Sequence, residues 1–197
     1  MSENGNEMTE GGQGGHHKLL ITPFDDLENA GFDVNGLLKH LAREAGAVFG
    51  LEAGVGEYLD APPGAFHRRR GQYRGEDFLD ALGGRRRSPR LLMGITGLDI
   101  FLPRLNFVFG VADRERGAAV VSLHRLCPEF YGSPPDAGLL LRRALKEVIH
   151  EAGHMLGLSH CRRAECIMHF SNAIGDTDRK GPGFCGECRA KLPVPAS

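Results

Sequence analysis

Tryptophan is absent from the chain, and tyrosine occurs only 3 times. Long apolar runs are absent too. None approaches the roughly 20 residues that cross a bilayer, so no membrane association is expected. No basic segment followed by an apolar core stands near the start, so no secretory signal is expected either. Charge of neither sign dominates: 24 Lys and Arg face 25 Asp and Glu. A net charge of −1 gives no whole-chain attraction to nucleic acid or acidic lipid. Cysteine is scarce, with 5 in 197 residues. An odd number, four of them late in the chain, is a poor disulfide framework and a good metal set. The compartment is therefore read as reducing, and the cytoplasm is expected.

What is present suits one globular domain with a sizeable core. Residues 1–17 are polar and Gly-rich and are expected to form a disordered tail, in which His16 and His17 are read as exposed. Lys18 to Phe24 reads as a buried strand. Val34, Leu37, Leu38 and Leu41 draw an amphipathic helix capped by Asp33 and ending near Gly46. His40 on it is read as surface or core. Val48 to Leu51 reads as a second strand, 61–74 as loop, and Glu76 to Leu82 as a helix. Arg68, Arg69, Arg70, Arg74, Arg85, Arg86, Arg87 and Arg90 form a basic region with Glu76, Asp77 and Asp80. With only Tyr73 for stacking, this reads as a partly ion-paired solvated face rather than a nucleic-acid site. Leu91 to Ile95, Asn106 to Val111 and Ala118 to Leu126 read as strands. The last two are joined by 112–117 as an antiparallel hairpin, so a mixed sheet with an antiparallel edge strand follows.

From Asp136 the apolar spacing becomes helical and runs to Gly157. This helix carries His150 and His154, four apart on one face. Each offers a neutral ring nitrogen to zinc. His160 reaches the same point only if the chain breaks and turns back, and Gly157 is placed to allow that turn. Glu151 lies about 100° around the helix from His150. Its carboxylate is thus positioned to take a proton from a zinc-activated water and pass it to a leaving amine. The spacing reads as a catalytic zinc site with an open fourth position. Cys161, Cys166, Cys185 and Cys188 form two close pairs, which suits a closed structural zinc. Cys127 stands outside this set and reads as a small buried hydrophobe.

The stretch His150 to Cys161, HEAGHMLGLSHC, together with Cys166, Met168, Cys185 and Cys188, resembles the archaemetzincins, a branch of the metzincin zinc metallopeptidases. The resemblance is specific across Glu147 to Cys188, and Val120 to Gly132 also looks similar. It implies an α/β (α+β) zincin fold: a twisted mixed sheet with an antiparallel edge strand, a long active-site helix and a small C-terminal zinc-stapled subdomain. A single catalytic domain would then span 18–197, with an upper subdomain at 18–157 and a lower one at 158–197. The resemblance implies two zinc ions per chain, one catalytic and one structural, with Met168 in a turn beneath the catalytic one. It also implies a peptide or small-protein substrate pairing with an edge strand, here expected at 118–123. Phe170 stands where several metzincins carry a tyrosine, which leaves Tyr131 as a candidate for oxyanion support. His169 is read as exposed or core. No cysteine-switch propeptide is recognisable. A monomeric zinc metallopeptidase is expected; the alternative is a catalytically weak or inactive two-zinc protein that binds a peptide or partner.

Overall fold

The computed structural model describes residues 18–28, 30–83 and 90–192. The expected tail at 1–17 and the arginines 85–87 lie outside the described residues.

Strand β1 (Lys18–Pro23) alternates toward full burial. Helix α1 (Val34–Phe49) starts at Asp33, whose side chain accepts the Gly36 N–H. It runs past Gly46 to Gly50, which takes the left-handed conformation at φ 64°. Gly46 serves packing instead, since a Cβ there would lie 2.9 Å from the Cβ of Ala53. The second strand, β2 (Glu52–Val55), accordingly begins later than the apolar pattern suggested. The 61–74 region contains β3 (Phe66–His67) and β4 (Gln72–Arg74), strands too short to show periodicity. Helix α2 (Gly75–Gly83) follows. Then come β5 (Arg90–Thr96), β6 (Ile100–Phe101), β7 (Gly110–Asp113) and β8 (Ala118–Ser122). The chain ends in α3 (Ala137–Met155) and two short helices, α4 (Ile174–Arg179) and α5 (Gly186–Arg189).

The main sheet has the order β2-β1-β5-β8-β7. Its first four strands are parallel, and β7 is antiparallel to β8. A mixed sheet with an antiparallel edge strand is therefore present, but the edge is β7. The expected edge at 118–123 is instead an interior strand, held by β5 on one side and β7 on the other. The run Ala118 to Ser122 is buried at every position, the mark of a strand covered on both faces. β7 is half-buried throughout, as an edge should be.

One face of the sheet packs Ile21, Met93 and Val121 against Leu38 and Leu41 of α1 and Val148 and Ala152 of α3. The other packs Leu92 and Val120 against Phe78 and Leu82 of α2. Among the described residues no helix is long and apolar enough to cross a membrane.

Candidate metal centre

Helix α3 begins with Asp136 accepting the Leu139 N–H at 2.8 Å. It buries Leu140, Ala144, Val148 and Ala152 against the sheet. Its last two turns bring His150, Glu151 and His154 under β7. The helix closes as Leu158 N–H reaches back to the Gly153 carbonyl at 2.9 Å. Gly157, at φ 96°, turns the chain through a region that side chains disfavour. His160 then returns to the helix, its ring centroid 4.7 Å from His154 and 5.3 Å from His150. One ring nitrogen from each of the three histidines lies within 4.8 Å of the others.

The hydrogen bonds fix two of the tautomers. His150 Nδ1–H donates to the Ile167 carbonyl at 2.8 Å, and His154 Nδ1–H donates to the Leu158 carbonyl at 2.7 Å. A carbonyl only accepts, so both protons sit on Nδ1 and both Nε2 atoms carry bare lone pairs. Those atoms face each other at 3.1 Å. Two lone pairs so close repel unless a cation lies between them. Two zinc–nitrogen bonds of ~2.0–2.1 Å at a tetrahedral angle would separate the nitrogens by about 3.3 Å. The donor set fits zinc. Burial pushes the pKa of all three histidines down, that of His150 well below its usual value and that of His160 to about 4, which keeps the imidazoles neutral.

Glu151 is 4% exposed. Its carboxyl packs directly on the edge strand, where a Cβ at Gly110 would lie 2.6 Å from Glu151 Oε1. Burial, with the charge of Glu147 second, raises its pKa well above the ordinary value, and Lys180 opposes the rise. Gly110 was not legible as a site residue, because a glycine opening a strand gives no chemical signal. Gly153 is a second such residue: a Cβ there would meet the Met168 sulfur at 2.6 Å. Met168 is fully buried, its thioether packed against Gly153 of α3.

A second cluster lies beyond His160. The sulfurs of Cys161, Cys166, Cys185 and Cys188 fall within 4.8 Å of one another, and no disulfide joins them. Cys161 and Cys185 are 3.8 Å apart, which matches two ~2.3 Å zinc–sulfur bonds at a tetrahedral angle. The backbone N–H of Cys188 brings the Cys185 thiol down to about 7, while burial raises Cys161 and Cys188. The two clusters are tied by backbone: Cys161 N–H donates to the Met168 carbonyl at 2.8 Å, and Ile167 holds His150. His169 Nδ1 donates to the Cys161 carbonyl at 3.0 Å. Cys127 is apart from the cluster and half-buried, its pKa raised by burial.

The histidines and Glu151 open onto a cleft of about 410 Å³ between β7 and the 170–171 segment. Leu102, Leu105, Phe107 and Phe170 line it with apolar surface. Phe170 also packs on the His160 ring at 4.9 Å. Tyr131 is not in it, and its hydroxyl donates to the Arg125 carbonyl at 2.9 Å. Tyr131 is therefore withdrawn as an oxyanion candidate. One buried network also escaped sequence reasoning. Lys180 pairs with Glu147 at 3.1 Å, and the Thr177 hydroxyl donates to the same oxygen at 2.8 Å. In the basic region, Arg74 pairs with Asp77, and Arg70 covers the Phe101 ring and donates to the Leu105 and Asn106 carbonyls.

Comparison with known proteins places this geometry. Residues 54–193 match the family model described as peptidase family M54. An archaemetzincin of Thermococcus kodakarensis is 50% identical over 181 residues, covering 88% of this chain and 94% of that one. Among solved structures, the archaemetzincin of Methanopyrus kandleri gives a TM-score of 0.77 at 34% identity, covering 90% of this chain and 94% of the other. A zinc-dependent peptidase from Methanocorpusculum labreanum gives 0.75 at 30% identity, covering 88% and 100%.

Proposed function

The chain belongs to peptidase family M54 and is a zinc-dependent metallopeptidase, and from that premise we propose how its residues divide the work. His150, His154 and His160 would hold the catalytic zinc, and Cys161, Cys166, Cys185 and Cys188 the structural one. When bound in the three-histidine site, zinc supplies a Lewis acid for the scissile carbonyl and an acidified water. Glu151 would take a proton from the attacking water on its carboxylate and deliver it to the departing amine. Met168 and Gly157 support the ligands without binding metal. The observation that carries the reading is the pair of bare Nε2 atoms on His150 and His154, closed by His160, in a cleft that Glu151 also lines.

A peptide substrate would pair with the open edge of β7. Ser122 N–H donates to the Phe109 carbonyl, so by antiparallel alternation Val111 and Asp113 also bond to β8. Gly110 and Ala112 therefore turn their N–H and C=O outward over the cleft, free to bind an extended chain. The four unbridged thiols support a reducing compartment, consistent with the cytoplasm, and we retain a monomer as the working unit. Gly157 would divide an upper part from a smaller zinc-stapled lower part. The alternative of a two-zinc protein without turnover has no observation in its favour.

The test is cleavage of a peptide library by zinc-loaded protein, with and without a chelator and with Glu151→Gln as control. Cleavage abolished by both treatments supports the assignment. Cleavage that persists unchanged in Glu151→Gln removes Glu151 from the mechanism.

A further inference from the structure

The charges lining the cleft are unevenly satisfied. Glu147 is neutralised by Lys180, and Glu151 packs against Gly110 in the same cleft as the histidines. Arg114, at the turn after β7, is the one permanent cation among the described lining residues. Its sequence neighbour Asp113 is engaged by Arg116, which also pairs with Asp80 at 2.8 Å. Among the described residues no carboxylate lies within ion-pair distance of Arg114. The guanidinium is nevertheless placed: it lies flat on Gly157, where a Cβ would come within 2.8 Å of its central carbon. The last carbonyls of α3 attract a cation at that end. An unpaired guanidinium held beside a peptide groove is a fork for a carboxylate.

We propose that Arg114 is a specificity residue of this peptidase, selecting substrates that carry a carboxylate a few residues from the scissile bond. The proposal rests on the cleft being the peptide groove. The spacing follows from β7. Glu151 packs on Gly110 at the start of the strand, and Arg114 comes four residues later, directly after the strand ends at Asp113. An extended peptide lying along β7 covers that distance in about four residues. The carboxylate comes from an Asp or Glu side chain or from the peptide's own C-terminus, and both present the same two oxygens.

Binding tests this independently of turnover. One apolar fluorescent peptide is prepared with Glu or Gln at successive positions, and with a free or amidated C-terminus. Its affinity for zinc-loaded Glu151→Gln protein is read by anisotropy, beside kcat/KM with the unaltered enzyme. The carboxylate-bearing peptides should bind about five- to tenfold tighter at low salt. Discrimination of Glu over Gln identifies a side-chain source, and discrimination of acid over amide identifies the C-terminus. The ratio should fall to about one in Arg114→Ala and favour a Lys-containing peptide in Arg114→Glu, whereas Arg43→Ala on α1 keeps the wild-type ratio. Equal binding of carboxylate and amide forms, or a preference that survives Arg114→Ala, overturns the proposal. Selective binding without any cleavage would leave the recognition standing and sink the catalytic assignment instead.

Discussion

Glu151 sits where a helix and a strand approach so closely that only a glycine fits opposite it. The Glu151→Gln change keeps shape and packing but removes the proton carrier. Peptide cleavage should fall by about 10²–10⁴-fold with zinc content unchanged, read by kinetics and metal analysis together. Gly153→Ala would push a methyl into the Met168 sulfur, which is fully buried and has little room to retreat. Denaturant unfolding should show a loss of about 1–3 kcal/mol. The histidines set a pH dependence whose sign follows from burial. Their folded-state pKa values lie below 6.5, that of His160 at about 4. Between those values the unfolded chain binds more protons than the folded one, so stability falls as pH drops from 6.5 toward 4. The melting temperature of metal-free protein should decline over that window, and less steeply in His160→Asn. An unchanged slope in that variant would remove His160 from the effect.

Helix α3 is the element that joins core, metal ligands and lower segment. Its apolar face is packed on the sheet, while its polar side is fastened to α4. Arg143 makes a two-pronged pair with Asp178, at 2.8 and 2.7 Å, and Lys146 donates to the Thr177 and Asp178 carbonyls. Beneath them the Glu147–Lys180 pair is buried, with Lys180 2% exposed. A buried charge without its partner is costly. Lys180→Met should therefore destabilise the fold by about 3–5 kcal/mol in chemical denaturation. Adding Glu147→Leu should recover much of that loss, because two apolar side chains then replace two charges. If the double variant were no better than the single one, the pair would not be acting through charge.

At the scale of the whole molecule the two metal sites share one stretch of backbone. Three neutral histidines with an open position exchange metal more readily than four thiolates. A graded chelator titration should remove one zinc with loss of activity before the second zinc leaves with loss of structure. Cys185→Ser should lower both thermal stability and occupancy of the histidine site, since Cys161 is bonded to Met168 and Ile167 holds His150. Full zinc content with wild-type melting in that variant would show the sites to be independent. Much of this was written locally in the chain. The i, i+4 histidines, the glycine three residues on and the paired cysteines state their chemistry through spacing, and the 3.6-residue pattern marks α3 from Asp136 onward. What spacing could not state is which side chains meet across the fold. The edge of the sheet passed from 118–123 to Gly110–Asp113 because an apolar strand looks alike at an edge or in the interior, and hydrogen-bonded neighbours decide which it is. Tyr131 left the site, and Gly110, Arg114 and the Glu147–Lys180 pair entered it, for the same reason. Ligand identity is a property of residue type and short-range geometry, and so it is carried by sequence. The wall of the cleft, its charge and the close approach at Glu151 are distances between segments far apart in the chain, and only tertiary packing sets those.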